Sequence, residues 1–102
     1  MIKAVYEVND KDQYISLTVK GHALQNEYGK DLICASVSSI MFGFMNALDA
    51  LNEEVEIKQL TNKIEVVNKS DSQVIQNYFE LVIIQLKTIE ESYGDFIKVE
   101  RK

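Results

Sequence analysis

One cysteine and one histidine, Cys34 and His22, are all that this chain of 102 residues holds of the two side chains zinc favours most. A zinc site takes about four ligands, mostly of these types, so a metal centre fails on inventory. A single thiol closes no disulfide within the chain and is most at home in a reducing compartment. The four glycines never form a phosphate-cradling loop or a dinucleotide fingerprint. No cofactor is expected. Proline is absent and arginine occurs once against ten lysines; no function follows from either.

Long apolar runs are missing too. The longest, such as residues 81–84, are far too short to span a bilayer, and the opening MIKAVYEVNDKDQ lacks the basic start and apolar stretch of a secretory signal. The expectation is a cytoplasmic protein without membrane contact. Net charge is −5 and the pI about 4.8. A nucleic-acid binder needs clustered Lys and Arg to displace counterions, and eleven basic residues scattered along the chain form no such cluster. No direct nucleic-acid contact is therefore expected. The same acidity favours encounters with a basic partner, including a basic polypeptide.

What is present suits one soluble domain over residues 1–102, with 46% apolar and 26% charged residues around a single core. Ile2, Ala4, Tyr6 and Val8 alternate with Lys3, Val5 and Glu7, and Ile15, Leu17 and Val19 with Ser16, Thr18 and Lys20. With NDKDQ between them they read as a hairpin burying one face. From Leu32 the period changes: Ile33, Val37, Ile40, Met41, Phe44, Met45, Leu48 and Leu51 fall at steps of three and four. That spacing predicts a helix, with Asp31 a natural N-cap. Strands over Val55–Leu60 and Lys63–Asn68 follow, turned by Thr61 and Asn62. A second helix starts from a cap at Ser70 or Asp71, carries Ile75, Tyr78, Phe79, Val82, Leu86 and Ile89 on its apolar side, and ends at Gly94. Residues 95–101 read as a last strand. The order β-β-α-β-β-α-β predicts an α+β two-layer sandwich, two helices on one face of a mainly antiparallel five-stranded sheet. Adjacent apolar pairs, Val66 with Val67 and Phe96 with Ile97, hint that part of the uncovered sheet face meets another subunit.

His22 and Cys34 stand twelve positions apart, the first at a strand end and the second in the opening turn of a helix. A thiol there feels the positive end of the helix dipole and the unpaired first-turn N–H groups, both of which favour thiolate. An imidazole within reach completes a thiolate–imidazolium pair, the chemistry of a cysteine protease or acyl-transfer enzyme. First-turn N–H groups around Cys34 and Ala35 can also receive an oxyanion. Asp31 either caps the helix or orients His22. Ser38, one turn beyond Cys34, either lines the pocket or is a small residue for close packing. Gly21 and Gly29 bracket the loop and can give it the freedom of a lid. The plainer alternative is a small core hydrophobe at Cys34 and a solvated histidine at a strand end.

The segment Gly21, His22, Ala23, then Gly29, Asp31, Cys34, Ala35, Val37 and Ser38 resembles the ribosomal-processing cysteine protease family, Prp. Its hallmark is Gly-His-Ala, a variable loop, then Gly-x-Asp-x-x-Cys-Ala-x-x-Ser. The likeness in element order covers essentially the whole chain, including the closing SYGDFIKV. It implies a protease with Cys34 as nucleophile and His22 as general base. The substrate it implies is a basic ribosomal protein precursor of the large subunit, whose N-terminal extension is removed after a short aromatic-containing motif. Members look like homodimers whose His-to-Cys loop is mobile until substrate binds. Two positions depart from the family pattern: Ser36 replaces a second alanine, and Gly94 follows Tyr93 where proline is common. Neither touches the reacting groups. A non-catalytic ribosome-assembly or binding module for a basic polypeptide is the competing reading. A thiol redox sensor would lack a second cysteine to resolve a sulfenic acid within the chain.

Overall fold

The computed structural model describes residues 1–21, 30–51 and 54–102, with Lys30 and Asp31 as backbone only. Five strands and two helices follow the expected order: β1 Ile2–Val8, β2 Tyr14–Lys20, α1 Lys30–Leu51, β3 Val55–Leu60, β4 Lys63–Asn68, α2 Gln73–Tyr93 and β5 Ile97–Arg101. The sheet runs β3-β4-β2-β1-β5. All its pairings are antiparallel except β1 with β5. The first hairpin thus forms the centre, and each later unit adds to one flank.

Alternation decides which side chains enter the core. Ile2 and Ala4 of β1, Leu17 and Val19 of β2, Ile64 and Val66 of β4, and Ile97 of β5 are buried under the helices. Helix α1 meets them with Ile33, Val37, Met41, Phe44, Met45 and Leu48, and α2 with Ile75, Phe79, Val82, Ile83 and Leu86. Phe79 joins the layers, stacked on Tyr14 of β2 at 6.1 Å and edge-on to Phe44 of α1 at 5.0 Å. By length and mean hydropathy of 1.5, the stretch Leu32–Leu51 would suffice to cross a membrane. Here its apolar stripe is a core face, packed on the sheet and on α2.

Polar side chains tie α2 to the sheet. The Gln76 amide acts as an extra strand for Tyr14, accepting from its N–H at 2.6 Å and donating to its carbonyl at 2.9 Å. Asn68 donates to the same carbonyl at 3.1 Å. At the other end of α2, Glu90 Oε2 accepts from the Val99 N–H at 3.0 Å.

Several element ends differ from the expected ones. Ser72 caps α2, accepting from the Ile75 N–H, while Asn68 takes the Ser70 N–H. Gly94 follows α2 but keeps φ at −61°, so it is no left-handed cap. A turn in which the Phe96 N–H reaches the Tyr93 carbonyl delays β5 to Ile97.

The sheet face away from the helices is mostly charged. Strand register places Lys3, Lys20, Lys63 and Lys98 side by side across it, then Lys58, Glu65, Thr18, Val5 and Glu100 in the next row. Of the apolar pairs that hinted at a subunit contact, Val66 faces the core, Val67 is half-buried on the open face, and Phe96 precedes its strand. That face carries no continuous apolar patch among the described residues.

Candidate active site

The site lies at the end of the sheet where β2 stops and the chain turns toward α1. Gly21 follows β2 with φ at +87°, a left-handed conformation, and its N–H donates to the Asn62 carbonyl at 2.8 Å in the β3–β4 turn. A Cβ at this position would lie 2.7 Å from the Met1 carbonyl oxygen. Only glycine meets both demands. The expected loose hinge is therefore an anchored bend, which launches the chain toward His22 from a fixed point. His22, Ala23, Gly29 and the rest of residues 22–29 lie outside the described residues, and with them the separation of His22 from Cys34.

Helix α1 opens at Lys30, so Asp31 falls inside its first turn rather than on the cap position. The surroundings of its side chain lie outside the described residues, and both readings of Asp31 remain as stated. Cys34 is the fifth helical residue, two positions further in than an Asp31 cap would place it. Its own N–H has the Lys30 carbonyl as helical partner, so the amides that a helix start leaves over lie in the turn before it. Helical Cα–Cβ bonds tilt toward the N-terminus, so a side chain at position 34 leans back over that first turn. The thiol thus still lies in the dipole's positive end. Cys34 is half-buried and packs against the core, neither sealed inside it nor standing free of the surface.

Ser38, also half-buried, shares Cys34's flank of the helix one turn on, and Ala35 is exposed beside it. Ser36, the departure from the family pattern, donates its hydroxyl to the Leu32 carbonyl at 2.8 Å and is occupied within its own helix. Leu32 projects into solvent in the first turn at 74% exposure, an apolar side chain that periodicity alone assigns to no task. On the open side of the sheet at this end, Lys63 holds the Glu65 carboxyl below its ordinary range through a 2.7 Å bond. Among the described residues no three His, Cys, Asp or Glu side chains converge as a metal would need.

Comparison with known proteins places this arrangement. The family model for cysteine protease Prp matches residues 1–98. The ribosomal processing cysteine protease Prp of Staphylococcus aureus is 31% identical over the full length of both chains. That of Mycoplasma pneumoniae is 35% identical over 82% of this chain and 84% of its own. Among solved structures, the Staphylococcus aureus protease in complex with a substrate peptide superposes with a TM-score of 0.91 at 28% identity, covering all of both chains. The same protease with a covalently linked product peptide gives 0.89 at 29% identity, also over both full chains. Fold, motif and matches together define the class, a cysteine protease on a two-layer α+β scaffold. The chain belongs to the Prp family of ribosomal-processing cysteine proteases.

Proposed function

We propose that this chain removes the N-terminal extension of a large-subunit ribosomal protein, with Cys34 as nucleophile and His22 as general base. The observation that carries the reading is the half-buried thiol of Cys34 leaning over the first turn of α1. A related protease holds a covalently linked product peptide, and this chain has one cysteine on which such a link can form. The imidazole takes the thiol proton, and the thiolate adds to the scissile carbonyl. First-turn amides receive the oxyanion, and the imidazolium returns its proton to the leaving amine. Water then cleaves the thioester. Ser38 lines the pocket floor, and Asp31 supports the helix start or the imidazole. The acidic surface suits a basic substrate through long-range attraction.

The reading extends to a cytoplasmic homodimer. The support for a dimer is the helix layer, where Leu81, Ile84 and Val74 are exposed and Leu81 lines a groove of about 300 Å³ with Gly43 and Phe44. Sedimentation at micromolar concentration would show twice the chain mass.

The deciding experiment incubates a ribosomal-protein precursor with the wild type and, separately, with Cys34→Ala, and reads both by mass spectrometry. A single N-terminal fragment released by the wild type alone is expected. A precursor bound but left intact by the wild type would favour the binding-module reading, and cleavage by both proteins would remove Cys34 from the chemistry.

A further inference from the structure

Composition disperses the basic residues, but register gathers four of them. Lys3 pairs with Lys20 on one side and Lys98 on the other, and Lys20 pairs with Lys63. Each follows or precedes a buried core residue, Ile2, Val19, Ile64 or Ile97, so all four leave the sheet on the face away from the helices. Three inter-strand steps of about 4.8 Å make a straight row of about 14 Å. Like charges directly opposite one another destabilise a sheet, so the fold itself gives no reason for this row. Of these four, only Lys63 has an ion pair with a described residue, Glu65. The ammonium of Lys98 turns back toward Gly94 at the end of α2, its Nζ 3.7 Å from where a Cβ there would sit. Lys3 and Lys20 are exposed and make no ion pair with a described residue.

We propose that the row of Lys3, Lys20 and Lys63, with Lys98 at its margin, is a docking strip for the phosphate backbone of duplex RNA. Four ammonium groups in a row can neutralise three to four backbone phosphates. Lysine binds phosphate as a point charge without reading sequence. The paired positions of the open face present Lys, Glu, Ser, Thr, Val and Leu, and the one ring near the strip, Phe96 just before β5, is no row of stacking platforms of the kind single strands use. In the next row Glu65 is flanked by Lys58, and Glu100 lies on the far strand, so the densest positive charge stays in the first row. Lys20 immediately precedes Gly21, so the strip borders the candidate active site on the opposite side of the sheet. The choice of RNA over another polyanion rests on the proposed function, since a ribosomal protein reaches its destination on RNA. The enzyme would hold an RNA-associated precursor by its tail on one side and by the accompanying duplex on the other.

The test needs no substrate, so it stands apart from the cleavage experiment. Fluorescence anisotropy follows a labelled RNA duplex of arbitrary sequence titrated with wild type, Lys3→Gln/Lys20→Gln and the control Lys11→Gln. The wild type is expected to bind at 50 mM salt and to lose roughly 40- to 150-fold in affinity by 200 mM, the slope for three to four phosphate contacts. The double variant loses at least about tenfold at 50 mM and its salt slope falls by about two. Its thermal midpoint does not drop, because a repulsion has been removed, and Lys11→Gln stays within about twofold of wild type. No binding by the wild type, or an unchanged slope in the double variant, overturns the proposal. Preference for phosphatidylserine vesicles over duplex would overturn it in favour of a membrane.

Discussion

The two helices are alike in length and in the apolar stripe each lays on the sheet, yet their polar side chains do different work. Along α2 they hold the fold: Ser72 caps it, Gln76 completes the backbone bonding of Tyr14, Lys87 donates to the Tyr6 hydroxyl at 3.3 Å, and Glu90 secures Val99. Along α1 the stripe does the holding, and the polar positions Cys34 and Ser38 face one flank at half burial. A helix attached mainly by its apolar face leaves its polar flank available for the proposed chemistry. The contrast says where substitution harms stability and where it harms catalysis.

The largest combined effect is expected at the bend that feeds α1. Gly21→Val forces a branched side chain into a left-handed conformation against the Met1 carbonyl, at a cost of about 2 kcal/mol or more. Urea unfolding would register the loss, and cleavage should fall further than the folded fraction does. Gln76→Leu strikes α2 instead. It strips the Tyr14 N–H of its acceptor and should cost about 1–3 kcal/mol while leaving cleavage per folded molecule unchanged. If Gln76→Leu lowered activity as much as stability, the division between the helices would be wrong. Gly43→Ala tests α1 in the other direction. A Cβ there meets nothing within 4 Å, so the helix should gain about 0.5–1 kcal/mol, seen as a higher denaturation midpoint at constant activity.

The smallest effect is electrostatic. Glu65 is held below its ordinary range by its bond to Lys63. A depressed carboxylate favours the fold above the unfolded value and loses that contribution as pH falls through the folded one. Lys63→Gln should therefore return the Glu65 titration to the ordinary range, followed by NMR, with little change in stability at neutral pH because the pair is exposed.

Element order and core were legible because period two and period 3.6 separate cleanly in Ile2 to Val8 and in Ile33 to Leu48. The thiol and imidazole stood out as the only members of their types. Caps were less legible: Ser70, Asp71 and Ser72 are all competent, and the choice fell to Ser72 once Asn68 had claimed the Ser70 N–H. The lysine row was hidden, because it exists only after β5 pairs parallel to β1 and β4 pairs with β2, contacts between residues as far apart as Lys3 and Lys98. The role of Gly21 was half visible. Its motif marked it, but the Met1 carbonyl that forbids any other residue arrives from the far end of the first hairpin.

The central claim is that the start of α1 and the His22 imidazole together keep Cys34 as a thiolate. Because the chain has one cysteine, the rate of iodoacetamide addition measured by intact mass against pH reports on that thiol alone. An inflection well below the ordinary thiol value of about 8.5, lost in His22→Ala, is the predicted result. An inflection at the ordinary value, unchanged by His22→Ala or by added precursor peptide, would contradict the account.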